Sequence, residues 1–250
     1  MKLTVCTDCV LSRLSTSEAI KVAGKYGYDI EFWSWWDKDL DAIAKTSKET
    51  GVKIVAFCTK FISLTDPDKR EEYISGLKET IAACKKLGTK IIISQAGNDT
   101  GKPRAEQRKS IVDGLKAAAP LLEKESITLV FEPLNHFDHP GYYLTSSGEA
   151  AQIADEVGSK NVKILFDFYH QQITEGDIIN RCVKNICRIG HLHCAGNPGR
   201  HELNKGEINY AEVFKAVDNA GYTGYAGLEF VPSGDVSAAL KAFSCNMCAE

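Results

Sequence analysis

The chain has 250 residues, of which 44% are hydrophobic and 25% are charged, the ordinary usage of a globular protein. Its formal net charge of −3 offers no basic surface for nucleic acid or for an anionic membrane. The apolar runs stay well below the roughly 18–20 residues that a membrane-spanning helix requires. We therefore expect neither a nucleic-acid partner nor a membrane.

The amino terminus and the cysteines bear on the cellular compartment. MKLTVCTDCVLSRL lacks the sustained apolar region and the small-residue cleavage site of a secretion signal. Nine cysteines, an odd number, without such a signal are typical of small buried side chains in a reducing compartment. The CxxC pairs Cys6–Cys9 and Cys245–Cys248 lie at opposite ends of the chain, which favours packing over zinc binding. A cytoplasmic location is expected.

Short apolar runs alternate with longer amphipathic segments from end to end. The runs predict eight strands: LTVCT at 3–7, YDIEFW at 28–33, VKIVAF at 52–57, TKIIIS at 89–94, ITLVFE at 127–132, VKILFD at 162–167, RIGHLH at 188–193 and YAGLEF at 225–230. Between them, STSE at 15–18 offers a capping box for a helix. A doubly wound sheet usually has a glycine-rich loop after its first strand, whereas DCVLSR follows here. The pattern predicts an α/β fold, a single (β/α)₈ TIM barrel domain over residues 1–250.

An ionisable residue ends each of the last four predicted strands. Glu132 ends the fifth, Asp167 the sixth, His193 the seventh and Glu229 the eighth. The carboxyl ends of the strands form the active site in such barrels. Because successive side chains of a strand alternate between its two faces, these four residues share the inward face. Their strand neighbours then face the helices: Phe131, Phe166, Leu192 and Phe230.

Three crowded carboxylates would repel one another, and burial raises carboxyl pKa values by as much as ~3–5 units. A divalent cation removes this conflict. Oxygen ligands with one imidazole favour Mg²⁺ or Mn²⁺, with Co²⁺ or Zn²⁺ as alternatives. A single strand-end acid more often caps the following helix than binds metal. Four such residues on successive strands favour a site for one metal ion, with Glu132, Asp167, His193 and Glu229 as its ligands.

The stretch IGHLHCAG at 189–196 carries two histidines on one face of the seventh strand. His191 lies one inward position deeper in the barrel than His193. We expect His191 to orient a metal-binding carboxylate rather than to bind the ion itself.

Several motifs in the second half of the chain resemble one family. They are VFEPLN at 130–135, HPGYYLT at 139–145, DFYHQQ at 167–172, GHLHCAGNPGRHELNKGEINY at 190–210 and GLEF at 227–230. Together they resemble the hydroxypyruvate isomerases, which belong to the xylose-isomerase-like sugar isomerase/epimerase barrels. The resemblance covers most of the chain and is strongest from residue 127 onward.

The resemblance implies the same four metal ligands and assigns Glu132 and Glu229 as the catalytic acid–base pair. It also implies that His170, in the loop after Asp167, contacts a substrate oxygen. Glu31 at the end of strand two resembles a substrate-pocket acid, and a helix-capping role is its alternative. Arg200 offers a bidentate partner for a substrate carboxylate, with a surface salt bridge as its alternative.

The implied reaction interconverts hydroxypyruvate and tartronate semialdehyde through an enediolate, with proton transfer between the two glutamates. Alternatives on the same metal frame are a 2-oxo-tetronate isomerase and a ketose 3-epimerase; less favoured are an abasic-site endonuclease and a non-catalytic metabolite-binding barrel. The expected partner is a small 2-keto acid or short sugar. The resemblance makes a homodimer or homotetramer plausible. The aromatic stretch FWSWW at 32–36 either lines the pocket or packs against a partner subunit, and packing is the favoured interpretation.

Overall fold

The computed structural model describes residues 1–245. Eight parallel strands, each hydrogen-bonded to the next in chain order, form a closed barrel, in which the eighth strand pairs with the first. Their bounds are β1 Lys2–Cys6, β2 Asp29–Phe32, β3 Ile54–Cys58, β4 Ile91–Gln95, β5 Thr128–Glu132, β6 Val162–Asp167, β7 Ile189–Cys194 and β8 Tyr225–Leu228. The predicted TIM barrel is confirmed.

Helices connect the strands. They are α1 Thr7–Val10, α2 Thr16–Lys25, α3 Leu40–Thr50, α4 Arg70–Leu87, α5 Arg104–Glu125, α6 Ser147–Val157, α7 Phe168–Thr174, α8 Ile178–Lys184, α9 Tyr210–Asn219 and α10 Val236–Cys245, with short 3₁₀ turns at Pro67–Lys69 and Ile186–Arg188. The predicted capping box is present, since the Ser15 hydroxyl accepts from the Glu18 backbone and the Glu18 carboxylate accepts from the Ser15 backbone. None of the helices in residues 1–245 is long and apolar enough to cross a membrane.

Because side chains alternate between the two faces of each strand, the barrel has two apolar layers, one inside it and one between the strands and the helices. Phe131, Phe166, Leu192 and Phe230 lie in the large core between barrel and helices, as the alternation predicts. A second, smaller cluster contains Val130 and Leu165 and fills the barrel interior. Cys6 and Cys9 are buried, whereas Cys245 and Cys248 lie outside the residues whose side chains the structure describes.

Two register shifts adjust the strands below the mouth of the barrel. One lies between Ile30 and Glu31 on β2, and the other between Ile164 and Leu165 on β6. Beyond the second shift, Asp167 pairs with His193, which pairs in turn with Gly227 on β8. Such irregularities re-aim side chains and are frequent beside active sites. Here Glu31 and Asp167 both lie on the carboxyl-terminal side of such a shift.

Candidate active site

Four side chains from the carboxyl ends of β5 to β8 meet at the mouth of the barrel. Glu132, Asp167, His193 and Glu229 are all buried, and one ligand atom of each lies within 4.8 Å of every other. β8 ends at Leu228, so Glu229 immediately follows its strand and is anchored by donating its backbone N–H to the Cys194 carbonyl (3.0 Å). The structure thus brings together the four residues that the sequence singled out.

The two glutamates of this cluster have opposite electrostatic surroundings. Burial and the charges of Glu229 and Asp167 raise the pKa of Glu132 to about 8, although His193 opposes the shift. Burial would raise the pKa of Glu229 as well, but Arg200 and His193 together hold it well below its usual range. One acid is therefore stabilised in its protonated form and the other in its ionised form, a pattern typical of acid–base pairs.

The buried carboxylate of Glu31 contacts His193 on the side of the ring that faces away from Glu229. Nε2 of His193 lies 2.8 Å from Oε1 of Glu31, and Oε2 of Glu31 lies 2.8 Å from Nε2 of His191. The opposite ring nitrogen of His193, Nδ1, lies 3.2 Å from Glu229. His191 therefore orients a carboxylate, but that carboxylate is Glu31 and not a member of the four-residue cluster.

The space for Glu31 depends on a glycine on β8. A Cβ placed on Gly227 would lie 2.3 Å from Oε1 of Glu31 and 2.8 Å from Cδ2 of His193. Glu31 is almost fully buried and does not line the cavity described below. Its position does not favour the substrate contact that the resemblance implies, because both carboxylate oxygens face histidines.

Asp167 both caps a helix and belongs to the four-residue cluster. Its Oδ1 accepts hydrogen bonds from the backbone N–H groups of Tyr169 (2.7 Å) and His170 (3.3 Å), which caps α7. Its Oδ2 faces the cluster, 3.5 Å from Nε2 of His170 and 3.5 Å from Arg200. His170 therefore lies in the first turn of a helix and not in a loop, which corrects the prediction from sequence. The cap lets the helix begin directly at the strand end.

Arg200 points into the cluster from the segment after β7. Its guanidinium is paired with Glu229 and approaches Asp167, and its side chain is only 19% exposed. Arg200 has a left-handed backbone (φ 54°), and its carbonyl accepts from the Val231 N–H at 2.6 Å. A non-glycine residue held in this conformation by its surroundings is frequent at functional sites. This buried contact is not the surface salt bridge considered from sequence.

The cluster opens into a cavity of about 730 Å³. Glu132, His170, His193, Arg200 and Glu229 line it, together with residues that follow β2, β3 and β4. The further lining residues include Trp33, Cys58, Phe61, Ser63, Asp66, Lys69, Gln95, Asn98, Asp99, Thr100, His139 and Tyr142. The volume lies within the range of small-molecule sites, ~300–1,000 Å³.

Trp33 is a site residue whose role sequence reasoning missed. Its indole Nε1 donates a hydrogen bond of 2.6 Å to Oε1 of Glu229, and the ring lines the cavity. FWSWW at 32–36 carried the signal, although packing was the favoured interpretation of that stretch. Trp36, by contrast, packs edge-on against the exposed Phe61.

The donor set of the cluster fits a divalent cation. Three carboxylates and an imidazole converge, and Oε1 of Glu132 is buried without a hydrogen-bond donor among the described residues. A buried acceptor of this kind is costly unless a proton or a cation satisfies it. Glu31, His191 and His193 form a second convergent group, in which each carboxylate oxygen of Glu31 lies 2.8 Å from the Nε2 atom of one histidine.

A closed parallel barrel with such a cluster at its carboxyl-terminal mouth defines a TIM-barrel protein with a candidate metal site. Residues 19–244 match the family described as Xylose isomerase-like TIM barrel. The chain is 39% identical over 176 residues to hydroxypyruvate isomerase of Escherichia coli (strain K12), covering 70% of this chain and 68% of that protein. It is 40% identical over 137 residues to 2-oxo-tetronate isomerase of Cupriavidus necator, covering 55% and 53%.

A solved structure described as AP endonuclease, family 2, from Brucella melitensis superposes with a TM-score of 0.93 at 25% identity, over 98% of both chains. The chain belongs to the xylose isomerase-like TIM barrel family. Its relatives indicate an isomerase, which agrees with the resemblance seen in the sequence.

Proposed function

We propose that the chain is a metal-dependent isomerase that interconverts hydroxypyruvate and tartronate semialdehyde through an enediolate. The observation that carries the proposal is the convergence of Glu132 and Glu229, two buried carboxylates, with Asp167 and His193 in one cluster that opens into the cavity. A 1,2-shift needs one group to remove a proton from C3 and another to return a proton to C2, while the proton of the C3 hydroxyl passes to the oxygen on C2. Because Glu132 ends β5 and Glu229 follows β8, the two carboxylates would reach a bound substrate from different sides.

A single divalent ion, Mg²⁺ or Mn²⁺ by the donor set, fits Glu132, Asp167, His193 and Glu229 as ligands, with Co²⁺ or Zn²⁺ as alternatives. When bound, it would polarise the substrate carbonyl and stabilise negative charge on the enediolate. Glu31 would position His193, and His191 would position Glu31.

Arg200 and His170 are the proposed substrate-binding residues of the chain. Both line the cavity beside the cluster. A guanidinium recognises a carboxylate through two parallel hydrogen bonds, which suits Arg200 to the acid group of a 2-keto acid. His170 would contact a second substrate oxygen. A cytoplasmic location and a homodimer or homotetramer remain predictions from sequence.

The similarity to 2-oxo-tetronate isomerase, together with the room in the cavity, supports a second candidate on the same site. About 730 Å³ is far more room than a three-carbon acid fills, and polar groups such as Asn98 and Thr100 line it. A 2-oxo-tetronate has one more hydroxylated carbon, and its isomerisation requires the same proton transfers. Turnover of C3, C4 and C6 substrates would rank the candidates, and a ketohexose turned over faster than hydroxypyruvate would overturn the main proposal.

Glutamate-to-glutamine variants test the mechanism. We expect Glu132→Gln and Glu229→Gln each to lower kcat for hydroxypyruvate by at least ~100-fold, because an amide cannot transfer the proton. Glu49→Gln, an exposed change on α3, is the matched control. Chelation should abolish turnover and re-addition of Mg²⁺ or Mn²⁺ should restore it. Wild-type rates in either site variant would contradict the mechanism.

The abasic-site endonuclease is the less favoured alternative. A multi-zinc cluster would need histidines from the earlier strands, but β3 and β4 end in Cys58 and Gln95. Incubation with abasic DNA, Zn²⁺ and low salt is expected to leave the DNA intact, and nicking would revive this candidate.

A further inference from the structure

Asn135, in the segment after β5, uses its whole side-chain amide within the protein. Its Oδ1 accepts from the backbone N–H groups of Phe137 (3.0 Å) and Asp138 (2.9 Å). Its Nδ2 lies 2.9 Å from Oδ2 of Asp138 and 2.7 Å from Nδ1 of His170. Because backbone N–H groups only donate, the two ends of the amide are assigned without ambiguity. Asn135 is fully buried, so water does not compete for these bonds.

Two donors of Asn135 converge on one ring nitrogen of His170. The side-chain amide lies 2.7 Å from Nδ1, and the backbone N–H of Asn135 points at the same atom from 3.3 Å. Nδ1 must therefore be an acceptor. A neutral imidazole that accepts at Nδ1 carries its hydrogen at Nε2.

The Nε2 side of His170 is directed towards the active site. It lies 3.5 Å from Oδ2 of Asp167, and the residue lines the cavity. The ring therefore presents a single fixed N–H donor beside the cluster.

We propose that Asn135 is a positioning residue that holds His170 as the neutral Nε2–H tautomer, so that His170 hydrogen-bonds a substrate oxygen instead of transferring a proton. The kinetic part of this inference rests on the proposed isomerase function. A preorganised neutral donor stabilises charge that develops on an enediolate oxygen. Proton transfer is then left to the two glutamates.

Nitrogen NMR of the full chain tests the tautomer directly. In ¹⁵N-histidine-labelled, Mg²⁺-loaded protein, with His170 assigned by the loss of its signals in His170→Gln, we expect a pyridine-like Nδ1 and a pyrrole-like Nε2. A pyrrole-like Nδ1 in the wild-type chain would overturn the inference. This measurement needs no variant of Asn135 and no activity.

Asn135→Asp tests the positioning role. It replaces the amide donor with an acceptor, so we expect the proton population at Nδ1 of His170 to rise and its signal to become pyrrole-like. Asn180→Asp, the same exchange at an exposed position of α8, should leave the His170 signals unchanged. A pyridine-like Nδ1 in folded Asn135→Asp would show that Asn135 does not control the tautomer.

Kinetics separate a hydrogen-bond donor from a proton-transfer group. His170→Gln keeps an N–H donor that does not titrate, and we expect its kcat to stay within about tenfold of wild type. His170→Leu should lose ~10²–10³-fold, the cost of removing one preorganised donor. A Gln variant as impaired as the Leu variant would refute the donor role. Failure of the wild-type chain on every keto acid would instead refute the proposed function, while the NMR result would still stand.

Discussion

The substitution Glu31→Gln distinguishes two roles for Glu31, the buried acid that contacts His193: positioning a metal ligand and binding substrate. Although burial raises the pKa of Glu31, the His193 and His191 charges and hydrogen bonds outweigh it and hold the pKa at about 2, against 4.5 ordinarily. That difference corresponds to about 3 kcal/mol of favourable interaction between the carboxylate and its surroundings. An isosteric amide loses the charge and places an N–H group against one imidazole. We expect the position and basicity of His193 to change most.

The expected consequence is weaker metal binding. The loss of a residue that orients a metal ligand typically costs ~10–100-fold in affinity. Isothermal titration of Mn²⁺ into the metal-free protein measures this directly, and thermal unfolding monitors the fold. Glu49→Gln on α3 is the matched surface control.

The same experiment evaluates the substrate-binding role that the resemblance implies for Glu31. A substrate-contacting acid would raise KM for hydroxypyruvate in Glu31→Gln and leave Mn²⁺ affinity unchanged. A positioning residue would lower Mn²⁺ affinity first, with turnover restored in part by excess metal. Unchanged Mn²⁺ affinity in a folded variant would refute the reasoning from the 2.8 Å contacts.

Three further outcomes are expected. Trp33→Phe removes the donor to Glu229 and should lower kcat/KM for hydroxypyruvate about tenfold in steady-state assays, since hydrogen bonds to charged groups contribute ~1.5–3 kcal/mol; an unchanged value would exclude a role for the indole. Gly227→Ala drives a methyl group into Glu31 and should destabilise the fold by ~1–3 kcal/mol in urea unfolding, whereas Gly148→Ala, with only an ordinary contact nearby, should not. At Glu202, burial raises the pKa, but hydrogen bonds from Ser233 hold it at about 2. The ionised Glu202 carboxylate should contribute up to about 3 kcal/mol to the free energy of unfolding above pH 4.5, and this contribution should be lost as the pH falls towards 2. The difference in that free energy between wild type and Glu202→Gln should therefore narrow in an acid-unfolding series.

The barrel and its four-residue cluster were predictable because each rests on a short-range regularity. Eight β-rich runs separated by helix-forming segments define the order of elements, and the period of two along a strand assigns each side chain to a face. Glu132 and Asp167 end their strands in the structure as predicted. Their inward orientation could be predicted from the alternation along each strand, without knowledge of tertiary contacts. The closing of the barrel then brings the strand ends to one level.

Asp167 shows that two roles treated as alternatives in the sequence analysis can belong to the same residue. From sequence, helix capping and metal binding competed as explanations of a strand-end acid. The structure assigns one carboxylate oxygen to the cap of α7 and turns the other towards the cluster. A carboxylate has two oxygens and several acceptor positions, so the two roles are compatible. The start of α7 at Phe168 follows from this cap.

Contacts that join distant parts of the chain were beyond sequence reasoning. The bond from Trp33 to Glu229 spans 196 residues, and the contact of Glu31 with His191 spans 160. The register shift beside Glu31 depends on how β2 pairs with β3, for which the local pattern holds no signal. Gly227 is informative only once its neighbours are known, since it leaves the space that the Glu31 carboxylate fills. The positioning of His193 thus depends on three strands together, and substitutions at Glu31 and Gly227 should therefore impair metal binding non-additively.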